Sequence, residues 1–254
     1  MSNTKNGLAS KGSKCWMQKV VNPTAKDFFK DPRLLRYHKY LANKLTNDEN
    51  GLVWISPLSK ENYHEYKLNE TKLQNIRRDI LGLDDENFNK HFKFWPSQGH
   101  PVWDAIALSK DGTNLFLFEA KAHINEMETK CNAKPGENRT IIEKSMSEAY
   151  KHFSVKNNNP DDIIKDVWMQ KYYQLGNRLT FLFYMNKIIS PKIRHTTLVL
   201  LNIINDEYGK TDRKAWNKHY IDFFKKMIGS EIPPKDVKIL FIPDNESDDE
   251  VMTI

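Results

Sequence analysis

The sequence predicts an α/β protein in which helices flank a mixed central β-sheet. Two observations carry this prediction. Short apolar runs rich in β-branched and aromatic residues alternate with longer segments of helical periodicity, and the first two such runs are joined by a tight-turn signal. Strands and helices interleave from residue 50 to residue 242 without a linker, which predicts one domain. We place it at residues 15–243, between a mobile N-terminal segment, 1–14, and an acidic tail, 244–254.

The first element predicted is a helix over residues 61–81. Apolar residues recur in this segment near the helical spacing, and Gly82 follows at a position typical of a helix C-cap. The recurring residues are Tyr66, Leu73, Ile76 and Ile80.

A β-hairpin is predicted next. Residues 102–108 (VWDAIAL) and 115–123 (LFLFEAKAH) are short and mostly apolar, and the Asp111-Gly112 pair between them favours a tight turn. The second run has no polar residue before Glu119, which is typical of a strand that is buried on both faces.

The remainder of the chain alternates between helices and strands. We expect a loop over 129–139, a helix over 141–153, a break at 157–160, one or two helices over 161–184, a strand over 196–204, a helix over 211–228 and a last strand over 237–242. Thr211 is the candidate N-cap of the last helix, and Gly229 follows its end.

Composition and charge limit the class of protein. The 254 residues are 39% hydrophobic, enough for one large core, which excludes a wholly disordered chain. The two cysteines have no metal-binding spacing, the N-terminus has no apolar signal region, and no apolar run approaches the length of a membrane span. We therefore expect a soluble, cytoplasmic protein without a membrane partner. The net charge is +6 overall and +11 over residues 1–243, which favours polyanionic partners without singling out nucleic acid.

Three polar residues of the hairpin point to chemistry. Glu119 and Lys121 follow the apolar run of the second strand, and the two-residue period of a strand places them, with His123, on one face. Asp104 lies among apolar residues of the neighbouring strand, so we expect it about 5 Å from Glu119. A sheet interior holds such charges only when they are partnered, because an unpaired buried charge costs several kcal/mol.

Two interpretations of this trio stay open. In the first, the converging carboxylates hold Mg²⁺ or Mn²⁺, which prefer hard oxygen ligands, and Lys121 orients water or stabilises charge on a phosphoryl group. The resulting chemistry is metal-assisted hydrolysis of a phosphodiester. In the second, Lys121 neutralises two buried acids, and the trio is a structural ion pair.

The spacing of these residues resembles that of the PD-(D/E)XK nuclease superfamily. Asp104 is followed, after fourteen residues, by Glu119-Ala120-Lys121, and the strings FWPSQGHPVWDAIA and LFLFEAKAH are similar to a group of uncharacterised bacterial proteins in that superfamily. The resemblance implies a restriction-endonuclease-like αβββαβ core with extra N- and C-terminal helices. It also implies that Asp104 and Glu119 hold the metal and that Lys121 is the catalytic lysine. One departure is Trp103, which stands where the superfamily has proline.

Four further residues are candidates for the site, each with a simpler alternative. The resemblance suggests Glu65 as an additional acidic ligand, and the alternative is a residue on a solvated helix face. His123 is a candidate contact of substrate or metal, or else lies at the strand edge. Gln170, Gln174 and Arg178 form a polar stripe at helical spacing, and the alternative is that this stripe faces solvent. The resemblance suggests that Gln174 faces the site, so Gln174 and Arg178 are candidate substrate contacts.

The sequence therefore leads to two functional hypotheses of different class. The first is a nuclease dependent on Mg²⁺ or Mn²⁺ that hydrolyses nucleic acid, with DNA favoured. The alternative is a nuclease-fold protein that binds nucleic acid without cutting it or has taken another role. The sequence leaves the oligomeric state open.

Overall fold

The fold is built on a five-stranded mixed sheet flanked by helices. The computed structural model describes residues 7–28, 31–70, 77–155, 160–188 and 190–243. The strands lie in the order β1-β2-β3-β4-β5, where neighbours in the chain are also neighbours in the sheet. Their bounds are β1 Leu52–Ser56, β2 Ala105–Ser109, β3 Asn114–Lys121, β4 His195–Ile203 and β5 Val237–Ile242. The first three strands are antiparallel, whereas β3, β4 and β5 are parallel.

Six helices of seven or more residues cover the two faces of the sheet in the described part of the chain. They are α1 Gly12–Val21, α2 Arg33–Thr46, α3 Asp85–His91, α4 Glu137–Phe153, α5 Tyr173–Lys187 and α6 Arg213–Ile228. Helices α1 and α2 pack on one face, against side chains such as Phe118 and Ala120. Helices α4, α5 and α6 pack on the other, against side chains such as Leu115 and Leu117. Because side chains alternate along a strand, β3 contributes to both cores.

The predicted hairpin is confirmed, although its first strand begins later than expected. In the β2–β3 register, Ala105 is opposite Phe118, and Gly112 in the turn has a φ of 71°, which glycine adopts without strain. Residues 102 and 103 do not pair with β3. Val102 forms a bridge with Lys67, and the Trp103 N–H donates to the Tyr66 carbonyl at 3.1 Å. The chain before Asp104 therefore pairs with a segment far away in sequence.

The predicted helix over 61–81 is wrong over residues 62–70. A single 3-10 turn covers Ser59–Glu61, residues 62–70 are not helical, and Arg77–Leu81 is helical, as a π-helix, while residues 71–76 lie outside the described residues. Asn62 and Tyr63 both have positive φ, which ends the turn, and Lys67 instead pairs with Val102. Leu73 and Ile76, which contributed to the predicted periodicity, lie outside the described residues.

Several boundaries also differ from the predictions. Helix α6 is capped by Asp212, whose carboxylate accepts the Ala215 N–H at 2.7 Å, rather than by Thr211, while Gly229 ends it with a φ of 76° as expected. Gln170 precedes α5 and is exposed, so the stripe with Gln174 and Arg178 is not one helix face. The predicted last strand over 237–242 is confirmed, and the strand predicted over 196–204 is found one residue earlier.

The two ends of the chain bear on the predicted domain boundaries. Helix α1 begins at Gly12, inside the segment expected to be mobile, because apolar side chains such as Met17 bury one of its faces. Residues 1–6 and the acidic tail 244–254 lie outside the described residues. No described helix combines the length and the hydropathy that crossing a membrane requires.

Candidate active site

The structure brings Asp104 and Glu119 together across the β2–β3 hairpin. Asp104 lies directly before β2, and its N–H donates to the Phe118 carbonyl at 3.1 Å, which continues the strand pairing by one residue. Its Oδ2 accepts the Ala120 N–H at 2.7 Å. Asp104 is therefore held to the backbone on either side of Glu119, to Phe118 by its own N–H and to Ala120 by its side chain.

Glu119 is a buried carboxylate held between two cations. Only 1% of the residue is exposed, its Oε1 accepts a hydrogen bond from Lys121 Nζ at 2.5 Å, and its Oε2 accepts one from Arg178 Nε at 2.6 Å. Burial alone would raise its pKa, but the charges and hydrogen bonds of Arg178 and Lys121 outweigh burial and lower the pKa. Glu119 is therefore ionised at neutral pH, with both oxygens engaged.

Helix α5 supplies the groups that surround this pair. Gln174 and Arg178 are four residues apart, so both face the sheet from one side of the helix. Gln174 Oε1 accepts a second hydrogen bond from Lys121 Nζ, at 3.0 Å. The Gln174 N–H in turn donates to Thr129 Oγ1 at 2.8 Å, which ties the start of α5 to the segment between β3 and α4.

Arg178 is directed entirely into the protein. Besides Glu119, its guanidinium donates to the Val102 carbonyl at 2.8 Å and to Asn177 Oδ1 at 3.1 Å, and only 5% of the residue is exposed. The guanidinium also lies 4.7 Å from the ring centre of Trp103, which is fully buried. Trp103, which departs from the superfamily pattern, thus supports the cation that holds Glu119, and no pattern in the sequence predicts this role.

Asp104 differs electrostatically from Glu119. Within the described residues, Asp104 forms no ion pair at salt-bridge distance. Burial, reinforced by the charge of Glu119 and more weakly by that of Glu65, raises its pKa to about 7, against the opposing effect of Lys121. In the structural alternative, Lys121 neutralises both acids. The structure shows an ion pair of Lys121 with Glu119 and none with Asp104.

Glu65 approaches the site from an irregular segment and not from the predicted helix. Its Oε2 accepts a hydrogen bond from Lys14 Nζ at 2.9 Å, whereas its Oε1 is buried without a hydrogen-bond partner. Its side chain is 12% exposed, and its charge helps to raise the pKa of Asp104. No sequence pattern predicts the contact of Lys14, because this residue lies fifty-one positions before Glu65.

His123 does not share the environment of Glu119 and Lys121. Strand β3 ends at Lys121, so the two-residue alternation stops before His123. Its Nε2 lies 3.3 Å from Glu126 Oε1, and its ring packs on Gly209, where a Cβ would come within 2.5 Å of the side chain. It lines a cavity of about 490 Å³ that also includes Lys14.

The donor set fits a hydrated hard cation better than a fully enclosed metal. In the part of the chain that the structure describes, no group of three or more Asp, Glu, His or Cys side chains is arranged to hold a metal. Mg²⁺ and Mn²⁺ need fewer protein ligands, because Mg²⁺ retains several waters and is usually bound by one or two carboxylates. Asp104, with no cationic partner at salt-bridge distance, and Glu65, with one unpartnered oxygen, meet that smaller requirement.

Comparison with known proteins gives no match. The search found no matching family model, curated protein or solved structure. The resemblance to the nuclease superfamily thus remains a prediction from the residues of the hairpin.

Proposed function

We propose that the protein is a nuclease dependent on Mg²⁺ or Mn²⁺ that hydrolyses phosphodiester bonds, with DNA as the favoured substrate. The observation that carries the proposal is the unequal pairing of the acids. Glu119 has two cationic partners, whereas the pKa of Asp104 rises to about 7 beside Glu65, which keeps one buried oxygen unpartnered. Two neighbouring carboxylates with unused oxygens are stabilised by a divalent cation.

The chain order of the elements supports the finer assignment of the fold. When α3, which lies between β1 and β2, and α4, which lies between β3 and α5, are counted as insertions, the remaining order is a helix, three antiparallel strands, a helix and a parallel strand: α2, β1–β3, α5 and β4. This is the αβββαβ order of a restriction-endonuclease-like core. In this assignment α1 is the extra N-terminal helix, and α6 and β5 are C-terminal additions.

The proposed metal ligands are Asp104 and Glu65, with Glu119 as a third acid whose oxygens are now engaged. When bound, the ion would polarise a phosphoryl oxygen and lower the pKa of a bound water. The acids of the site bind and orient this ion.

Lys121 is the proposed catalytic residue of the chain itself. Two acceptors fix its ammonium group, Glu119 Oε1 at 2.5 Å and Gln174 Oε1 at 3.0 Å, so that a positive charge is held in place before the substrate arrives. A preorganised cation stabilises the charge that develops on phosphorus-bound oxygens without the cost of reorganising solvent. Arg178 acts through Glu119 and is therefore a positioning residue, not the substrate contact expected from the sequence.

The occupied oxygens of Glu119 favour a second candidate. If neither Lys121 nor Arg178 releases Glu119, the site lacks its third acid, and the protein is a nuclease-fold module that binds nucleic acid without cutting. The two candidates differ in their response to metal, since binding alone needs no ion in the site.

Cleavage of plasmid DNA with Mg²⁺, with Mn²⁺ and with EDTA tests the proposal, with a single-stranded RNA in parallel. We expect cutting with either metal, none with EDTA, and at least a 100-fold loss for Lys121→Ala, because a general electrostatic catalyst contributes about this factor. Lys110→Ala is the matched control, since this exposed lysine lies in the turn at the far end of the same hairpin. Salt-dependent DNA binding without cutting under any metal would favour the second candidate.

A further inference from the structure

We propose that Lys14 is a positioning residue of the candidate metal site, which it serves by holding one oxygen of Glu65 so that the other is turned inward for a divalent cation. The inference rests on the proposed function and adds to it a residue from outside the hairpin. Lys14 Nζ lies 2.9 Å from Glu65 Oε2, and Glu65 Oε1 is buried and unpartnered.

The backbone around Glu65 does not by itself fix this side chain. Glu65 lies in residues 62–70, which form neither helix nor strand, and its side chain is long enough to turn toward solvent. Among the described residues, Lys14 is the single ion-pair partner of Glu65. Without Lys14, the Glu65 carboxylate is expected to turn toward solvent, because desolvation of its unpartnered oxygen costs free energy.

Lys14 is carried by a firmly anchored element. Helix α1 buries Met17 and Val20 against the sheet. Trp16 Nε1 donates to Asp206 Oδ2 at 2.8 Å, and Gln18 Nε2 donates to the Gly7 carbonyl at 2.9 Å. The backbone of Lys14 is therefore fixed, and its side chain extends from this backbone to Glu65.

Because the Lys14–Glu65 ion pair is partly exposed, a positioning role and a merely structural role of Lys14 predict different results. The Lys14 side chain is 48% exposed, and ion pairs at such positions contribute little to folding stability. If the role of Lys14 is merely structural, its removal should change neither the folding stability nor the metal affinity appreciably. A positioning role predicts a loss of metal affinity without a loss of stability, because removal of a group that orients a metal ligand weakens metal binding by roughly 10- to 100-fold.

Calorimetric titration of the full chain with MnCl₂ tests the inference, with the electron paramagnetic resonance signal of Mn²⁺ as a second measurement. We expect Lys14→Ala and Lys14→Met to weaken Mn²⁺ binding by about 10-fold, and Lys14→Arg to retain most of the affinity. Lys11→Ala is the matched control. It removes an exposed lysine of the same cavity that lies over the Tyr208 ring and is not paired with Glu65. Its affinity is expected to equal that of the wild type.

A double-mutant cycle identifies Glu65 as the residue through which Lys14 acts. In a Glu65→Gln background, Lys14→Ala should cause no further loss of affinity. Unchanged or tighter Mn²⁺ binding by Lys14→Ala, with Asp104→Asn still losing the metal, would overturn the role of Lys14 alone and mean that this lysine merely competes with the ion. Absence of Mn²⁺ binding by the wild type would overturn the proposed function together with this inference.

Discussion

Replacement of Asp104 by asparagine is expected to stabilise the metal-free protein at alkaline pH. The pKa of Asp104 lies at about 7 in the folded protein against an ordinary value of 3.8, so the folded state binds the proton more tightly than the unfolded chain. The stability contributed by this protonation is complete below pH 3.8 and is lost as the pH rises through about 7. At pH 8 the ionised carboxylate therefore destabilises the fold.

The size of this effect follows from the pKa. A rise from 3.8 to about 7 corresponds to about 4 kcal/mol at about 1.4 kcal/mol per pH unit. Asp104 is only partly buried, so solvent screens part of this cost. We therefore expect Asp104→Asn to raise the free energy of unfolding by at least about 2 kcal/mol at pH 8. The substitution preserves the acceptor for the Ala120 N–H, so no hydrogen bond is lost with the charge.

Urea denaturation in EDTA at pH 5 and pH 8 measures this difference. At pH 5 the gain should fall to less than half, because Asp104 is then mostly protonated in the folded wild type. Glu119, whose lowered pKa gives stability that is lost at low pH, is present in both proteins and cancels in the comparison. Equal stability of the two proteins at pH 8, or an equal gain at both pH values, would refute the reasoning.

Three further predictions concern ion pairing, metal binding and helix capping. Addition of Mn²⁺ at pH 8 should raise the melting temperature of the wild type and not that of Asp104→Asn, which differential scanning calorimetry measures. Arg178→Met should cost about 3 kcal/mol in urea denaturation because it leaves the buried Glu119 Oε2 without a partner, while Lys121 still pairs with Oε1; a change below about 1 kcal/mol would contradict the buried pair. Asp212→Ala should cost about 1 kcal/mol and Thr211→Ala should cost less, since Asp212 is the cap of α6.

The sequence predicted the elements whose determinants are local. The hairpin turn needs only Asp111 and Gly112, and β5 needs only a short apolar run between polar ones, so both were found close to their true bounds. The helix predicted over 61–81 is wrong over residues 62–70 because a long-range contact determines the structure of that segment. The pairing of Lys67 with Val102 is a property of the assembled fold and leaves no periodic signal.

The same distinction explains which parts of the site were predicted. The convergence of Asp104 and Glu119 follows from hairpin register, which is local, and the structure places them across the hairpin. The contacts of Lys14 and Trp103 depend on how α1 and α5 dock on the sheet. Residues that act through such docking are invisible to spacing arguments, because no fixed sequence distance relates them to the residue that they hold.

The charges of the site bear on how the basic character of the chain would attract a polyanionic partner. Three acidic and three basic side chains compose the site: Glu65, Asp104 and Glu119, with Lys14, Lys121 and Arg178. With all six ionised, the site alone is neutral and has no net attraction for a phosphodiester. A bound divalent cation would give it a net charge of +2, which attracts the phosphate group over short distances, while the +11 of residues 1–243 acts over the whole surface. Under the proposed function, metal binding and recognition of the scissile phosphate are one electrostatic event, so removal of metal should weaken local phosphate contact and leave the salt-dependent attraction of the surface in place.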